Sequence, residues 1–151
     1  MRKLFLIILI FTLSNCGYSP LYKNIGEQDL RIKITSSTGY EDFNSYLELQ
    51  LIEYLNKDSE NEYKVSIYST YSKTDYTKDA TGKASEFELN LNVEFKVEYK
   101  GNVKTFLLRE RFYTNASDDK FKQKNYEERI LKNFASSIKD KLILRLSTIQ
   151  W

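Results

Sequence analysis

An unbroken alternation between residues 87 and 99 constrains the fold of this chain more than any other stretch. The side chains at its odd positions are apolar or aromatic: Phe87, Leu89, Leu91, Val93, Phe95, Val97 and Tyr99. The side chains between them are polar: Glu88, Asn90, Asn92, Glu94, Lys96 and Glu98. Because successive side chains of a strand point to opposite faces, the pattern predicts a strand with one buried and one solvated face.

The residues after this strand predict a tight hairpin. A two-residue turn at Gly101-Asn102 would pair Lys100 with Val103. In that register, three apolar pairs face each other: Val97 with Phe106, Phe95 with Leu108, and Leu91 with Phe112. The mismatch is Glu110, which falls opposite Val93, and a bulge is the only explanation that the sequence offers for it.

Other segments have the periodicity of strands and helices. Residues 30–34 and 63–71 alternate as strands do, and the residues from Thr35 to Tyr40 are typical of a turn. Apolar residues three and four apart predict helices over about 42–56 and 120–148. The first helical stripe consists of Phe43, Tyr46, Leu47, Leu51, Tyr54 and Leu55, and the second contains Tyr126, Ile130, Leu131, Phe134, Ala135, Ile138, Leu142 and Leu146.

The order of these elements is β-α-β-β-β-α, and the helices and the sheet each have one apolar face. These apolar faces are all buried if the chain forms an α+β two-layer sandwich, with two helices on one face of a mostly antiparallel four-stranded sheet. The second hairpin turn, at Ala80-Thr81-Gly82, follows a strand end that carries no apolar stripe. We therefore expect this hairpin to project beyond the helices.

The N-terminus has the order of an export signal. Arg2 and Lys3 precede an apolar run from Leu4 to Leu13, which is too short for the roughly 20 residues of a membrane-spanning helix. The chain's only cysteine, Cys16, follows at the expected cleavage point. We predict a lipoprotein signal peptide over 1–15, a lipidated tether over 16–29, and one αβ domain over 30–151. A plain secretory signal with an incidental cysteine is the alternative.

Composition excludes several classes of function. The chain has no histidine, and its 23 basic and 21 acidic residues become balanced once Arg2 and Lys3 are removed with the signal. We therefore expect no nucleic-acid partner, no metal site, no His- or Cys-based catalysis and no cofactor besides the acyl anchor. The five glycines are scattered, so there is no phosphate-binding loop either. The sequence lacks the parts of an enzyme, and no catalytic residues are assigned.

The mature N-terminus resembles a known family. Cys16-Gly17-Tyr18-Ser19-Pro20-Leu21-Tyr22 is similar to the start of LptE, the lipoprotein of the lipopolysaccharide-assembly translocon, and the short alphaproteobacterial form looks closest. The predicted order of elements matches that family over nearly all of the mature chain. The resemblance implies a non-enzymatic outer-membrane lipoprotein that is acylated at Cys16. It also implies that the domain plugs the lumen of the LptD β-barrel, assists barrel assembly and contacts lipopolysaccharide.

Lysines near two predicted loops are candidates for contact with anionic lipopolysaccharide. Lys78 and Lys83 flank the second hairpin turn, and Lys120, Lys122 and Lys124 begin the last helix. The alternative is an ordinary solvated charged surface. For Arg109 and Arg111 we favour sheet-surface ion pairs with Glu94 or Glu88. Two other functions remain open, namely a lipid-binding periplasmic lipoprotein and a secretion-machine adaptor, each acting without a barrel.

Overall fold

A computed structural model describes residues 29–149 of the chain. The elements are β1 (Arg31–Gly39), α1 (Glu41–Leu55), β2 (Glu62–Lys78), β3 (Ala84–Tyr99), β4 (Asn102–Asn115) and α2 (Lys120–Thr148). The strands form one sheet in the order β1-β2-β3-β4, with β1 parallel to β2 and the other neighbours antiparallel. The predicted α+β class and element order are confirmed. The predicted signal peptide over 1–15 and the predicted acylation site Cys16 lie outside the described residues, so the domain boundaries stay predictions.

The core lies between the sheet and the two helices, as the alternation of β3 predicts. Leu89, Leu91, Val93, Phe95 and Val97 are completely buried. They belong to one cluster with apolar side chains of β1, β2, α1 and α2. The even-numbered side chains of β3 lie on the opposite face, which neither helix covers, and they are exposed or half-buried. The sheet therefore has a covered face and an open face.

The hairpin between β3 and β4 turns one residue earlier than predicted. Tyr99 pairs with Asn102, so the two turn residues are Lys100 and Gly101. Both have positive φ angles, 47° and 83°, which matches the turn type that fits the twist of a hairpin. The shift moves every predicted pair by two positions, so side chains keep their faces but change partners.

Contacts with α2, and not a bulge, explain the position of Glu110. Glu110 lies opposite Leu91 at the edge of the covered face. Its carboxylate accepts hydrogen bonds from Ser137 Oγ at 2.5 Å and from Lys141 Nζ at 2.6 Å, both on α2. The carboxylate is paired rather than buried alone, and it links the edge strand to the helix.

The predicted turn at residues 35–40 is wrong, because β1 continues to Gly39 after an irregularity between Ile34 and Ser36. Backbone hydrogen bonds to β2 hold these residues in a strand, although their polar side chains show no strand pattern. The chain then enters α1 at Tyr40, whose N–H donates to the Ser69 carbonyl at 3.1 Å. Gly39 has φ 101°, and a Cβ there would lie 1.9 Å from the Ser69 carbonyl oxygen. This close approach requires glycine.

The long helix α2 has the predicted bounds. Asp119 precedes it, and its carboxylate accepts hydrogen bonds from the backbone N–H groups of Phe121 and Lys122 at 3.0 and 3.1 Å. This cap satisfies two of the N–H groups that a helix start leaves unpaired. The helix then runs along β4, from Tyr126 beside Phe112 to Arg145 beside Phe106. It covers the β4 end of the sheet, while α1 packs over β1 and β2.

Candidate functional site

Every residue of the hairpin between β2 and β3 is exposed from Ser72 to Lys83, while β4 and the loop before α2 contact the hairpin at its end. β4 pairs with β3 as far as Glu86 and Asn115, and Ala116 continues the contact by donating its N–H to the Ser85 carbonyl at 2.8 Å. Lys83, at the hairpin tip, forms an ion pair with Asp118 just before α2. The hairpin tip and the start of α2 therefore form one end of the molecule.

Asp79 organises the tip of this hairpin. Its Oδ1 accepts hydrogen bonds from the Thr81 N–H at 2.8 Å, the Thr81 hydroxyl at 2.6 Å and the Lys83 N–H at 3.1 Å. These bonds, those from Thr81 first, lower the pKa of Asp79, and the hydrogen bond to Asp118 raises the pKa of Lys83. Both charges are thus held in their ionised forms at neutral pH.

Three of the five predicted lysines lie beside carboxylates. Lys83 pairs with Asp118, Lys78 Nζ lies 3.5 Å from Asp75, and Lys122 Nζ lies 3.7 Å from Asp119. Lys122 lies apart from Lys120 and Lys124, because positions two apart on a helix face nearly opposite directions. Lys122 lines one cleft, whereas Lys124 lines another with Tyr40, Tyr71 and Glu127. Lys120 is exposed at the first position of the helix.

A cleft of about 590 Å³ lies where β4 ends and α2 begins. It is lined by Thr114, Asn115, Ala116, Ser117, Asp119, Phe121, Lys122, Gln123, Asn125, Tyr126 and Arg129. Gln123 fixes the loop side of the cleft, because its side-chain oxygen accepts a hydrogen bond from the Ser117 N–H at 3.0 Å. We call this feature the helix-start cleft.

Aromatic side chains give the helix-start cleft an apolar wall. Phe121 is 73% exposed and Tyr126 is 38% exposed, although Tyr126 belongs to the stripe that predicted a buried helix face. The Tyr126 ring also lies 6.5 Å from that of Phe112, edge to face, which packs it against β4. Aromatic surface left open to solvent beside a cavity is suited to an apolar ligand or partner.

Arg129 places a cation at the same cleft. Its guanidinium carbon lies 5.4 Å from the centre of the Tyr126 ring. Among residues 29–149, no carboxylate lies within ion-pair distance of Arg129. The cleft thus combines aromatic surface with a guanidinium that is in no ion pair among the described residues. This combination suits an amphiphilic anion, whose apolar part would contact the rings and whose anionic group would bind Arg129.

Two residues of this cleft, Arg129 and Phe121, are not among the contacts predicted from the sequence. Arg129 follows Tyr126 by three positions, so both side chains share one side of the helix, and this spacing is visible in the sequence. Nothing in the sequence alone brings the end of β4 against this part of α2. That juxtaposition depends on the direction in which α2 crosses the sheet.

The open face of the sheet carries a second, polar groove of about 510 Å³. Arg111 Nε lies 2.9 Å from a Glu88 carboxylate oxygen and donates to Asn90 Oδ1 at 3.0 Å. The predicted pairing of Arg111 with Glu88 is confirmed, whereas Arg109 has no carboxylate within ion-pair distance among residues 29–149. The rings of Tyr76 and Tyr113 pack with their centres 4.5 Å apart toward the hairpin end of this face.

Within the described range, no helix has the length and apolar character needed to cross a membrane. The same residues contain no group of three or more His, Cys, Asp or Glu side chains arranged to hold a metal ion.

Comparison with solved structures identifies proteins of the same fold. The chain is similar to rare lipoprotein B from Shewanella oneidensis (TM-score 0.62, 15% identity, covering 78% of this chain and 94% of that one). It is also similar to an uncharacterized lipoprotein B from Nitrosomonas europaea (TM-score 0.58, 20% identity, 80% and 83% covered). A minor lipoprotein from Acinetobacter baumannii matches with TM-score 0.55 and 16% identity (78% and 94% covered). No family model and no curated protein matches the sequence. The chain therefore shares a fold with bacterial lipoproteins.

Proposed function

We propose that this chain is an outer-membrane lipoprotein of the LptE type, which partners an LptD-type β-barrel in lipopolysaccharide transport and has no catalytic role. The single observation that carries the proposal is the fold shared with three lipoproteins over nearly four-fifths of the chain. The start of the predicted mature chain, Cys16-Gly17-Tyr18-Ser19-Pro20-Leu21-Tyr22, supports it independently.

The open face of the sheet is suited to the lumen of such a barrel. Its groove is lined by hydroxyl, amide and charged side chains, including Ser72, Asn90, Asn92 and Arg109. The interior of an outer-membrane barrel is polar, so a plug needs a hydrophilic surface of this kind. The covered face supplies the stability, which leaves the open face available for contact.

The helix-start cleft is the site that we propose for lipopolysaccharide. Arg129 offers positive charge to a phosphate, and Phe121 and Tyr126 offer apolar surface to an acyl chain. The five lysines predicted from the sequence are weaker candidates, because Lys78, Lys83 and Lys122 lie beside carboxylates. Lys120 and Lys124 lie outside the cleft.

Co-purification tests the partnership. The chain, isolated from its own outer membrane in mild detergent, should retain a large barrel through stringent washes. Bound lipid without a barrel would instead support the second candidate, a lipid-binding lipoprotein, which the helix-start cleft favours. Recovery of neither barrel nor lipid would leave the adaptor function as the remaining candidate.

The membrane anchor is tested by Cys16→Ala. Each buried methylene contributes about 0.8 kcal/mol, so a multiply acylated cysteine holds a protein on the membrane and its loss releases it. We expect the variant to leave the membrane fraction in cells depleted of the barrel. A variant that still sediments with the outer membrane at high salt would contradict anchoring through Cys16.

A further inference from the structure

The two helices differ sharply in how their charges are compensated. On α2, Glu127 pairs with Lys73 at 2.5 Å and Glu128 pairs with Lys132 at 2.7 Å. In α1, Glu41 and Glu48 have no lysine or arginine within ion-pair distance among the residues that the structure describes. The α1 sequence itself contains four acidic residues and no basic one.

These carboxylates share one side of α1 with exposed aliphatic side chains. At 100° per residue, Glu41, Ser45, Glu48, Leu49 and Ile52 fall within about 100° of one another, opposite the buried Phe43, Leu47 and Leu51. Leu49 is 64% exposed and Ile52 is 55% exposed. We call this side the outer face of α1. Its first half is acidic and its second half is aliphatic.

A groove beside this face contains a polar group without a partner among the described residues. It has a volume of about 450 Å³ and lies between the end of β1 and the first two turns of α1, with Glu41 and Glu48 on its wall. Ser37, which also lines it, has a buried hydroxyl oxygen that makes no hydrogen bond within residues 29–149. The neighbouring β1 is an edge strand of the described sheet, because it pairs with β2 alone.

We propose that the outer face of α1 binds a basic amphipathic segment of a partner protein. The segment's Lys or Arg side chains would pair with Glu41 and Glu48, which lie two helical turns apart, about 10 Å. Its aliphatic side chains would cover Leu49 and Ile52. Uncompensated charge of one sign next to open aliphatic surface is complementary to that chemistry and to neither an anionic lipid nor a nucleic acid. The proposal is independent of the barrel partnership.

The first test uses a defined probe. A fluorescent 14-residue peptide of leucine and lysine is titrated against the acylated full chain in phosphatidylcholine nanodiscs, with empty nanodiscs as the blank. We expect saturable binding that salt weakens. Glu41→Gln combined with Glu48→Gln should weaken it about tenfold, as expected for two lost ion pairs, and Leu49→Ser combined with Ile52→Ser should do the same.

The matched control lies on the open face of the sheet. Glu94 is an exposed carboxylate opposite the exposed Leu107 in the β3–β4 pairing. Glu94→Gln combined with Leu107→Ser removes one carboxylate and one aliphatic side chain by the same kinds of substitution, and it should leave binding unchanged. Equal weakening by this control, or no weakening by the α1 variants, would overturn the proposal. Unchanged melting curves would show that every variant is folded.

The second test identifies the natural segment. A photo-crosslinking amino acid replaces Leu49 in cells, and the crosslinked peptide is sequenced by mass spectrometry. We expect a peptide with Lys or Arg beside aliphatic residues, and its crosslinking should drop when Glu41 and Glu48 are changed to Gln. A crosslinked peptide without basic residues, or no crosslink at all, would overturn the proposal.

Discussion

The two faces of β3 put adjacent residues in opposite environments. Phe95 is completely buried, pairs across the sheet with Ile67 and Phe106, and lies 5.7 Å from the Phe106 ring. Lys96 is exposed on the open face, between Ser66 and Thr105. The covered face holds the fold together, whereas the open face adds little to stability and is therefore free to carry a binding surface.

Phe95→Asp should destabilise the protein more than any other single substitution proposed for it. The change buries a carboxylate among apolar side chains at a cost of several kcal/mol, comparable with the whole stability of a small domain. We expect no cooperative thermal unfolding for this variant, measured by circular dichroism. Lys96→Asp is the control and should melt close to the parent chain. Similar curves for the two variants would refute the assignment of the faces.

Gly39→Ala tests the edge where the sheet passes into α1. A Cβ at this position would meet the Ser69 carbonyl oxygen at 1.9 Å in a backbone with φ 101°. The strain and the displaced contact should together cost about 2–3 kcal/mol in urea unfolding. Gly101→Ala is the matched control, because Gly101 has φ 83° but no atom of the described residues within 4 Å of the added Cβ. An equal loss for both would mean that the φ angle alone matters.

Alternating and helical patterns predicted the elements correctly where one face is apolar over many residues. The strand β3 and the bounds of α2 follow from periodicity and from the cap at Asp119. The prediction failed for residues 35–39, whose polar side chains are typical of a turn. Pairing with β2 instead keeps these residues in a strand. The predicted register of the β3–β4 hairpin was also wrong by two positions. A shift of two keeps every side chain on the same face of the sheet, so the apolar pattern does not distinguish the two registers and only the geometry of the turn does.

The candidate site was predictable in part. The sequence located its charges in the loops at one end of the molecule but favoured lysines that the structure places beside Asp75, Asp118 and Asp119. Arg129 lies further along α2 and faces the end of β4 across the helix-start cleft. That contact needs the packing angle between helix and sheet, which no local pattern encodes.

Arg129→Ala combined with Phe121→Ser should weaken binding of lipopolysaccharide about fivefold to tenfold, because it removes the cleft's guanidinium and its most exposed ring. Binding of purified lipopolysaccharide to the detergent-solubilised chain measures this. Stability should change by less than about 0.5 kcal/mol, since neither side chain is buried. Arg109→Ala, on the open face, is the matched control. Unchanged affinity in the double variant would remove the helix-start cleft as the proposed lipid site.

The smallest effect is expected from reversing the charges at the hairpin tip, with Lys78→Glu and Lys83→Glu together. These changes turn two exposed ion pairs, with Asp75 and Asp118, into repulsive contacts. Exposed pairs contribute about 0.2–1 kcal/mol each, so the melting temperature should fall by only a few degrees. Lipopolysaccharide binding should weaken less than in the Arg129 and Phe121 variant, because these lysines already have carboxylate partners. Lys57→Glu, in the loop after α1, is the control for reversing an exposed lysine elsewhere on the surface, and it should leave lipopolysaccharide binding unchanged. If the reversed tip lost more affinity than the cleft variant, the hairpin tip and not the helix-start cleft would be the main lipid contact.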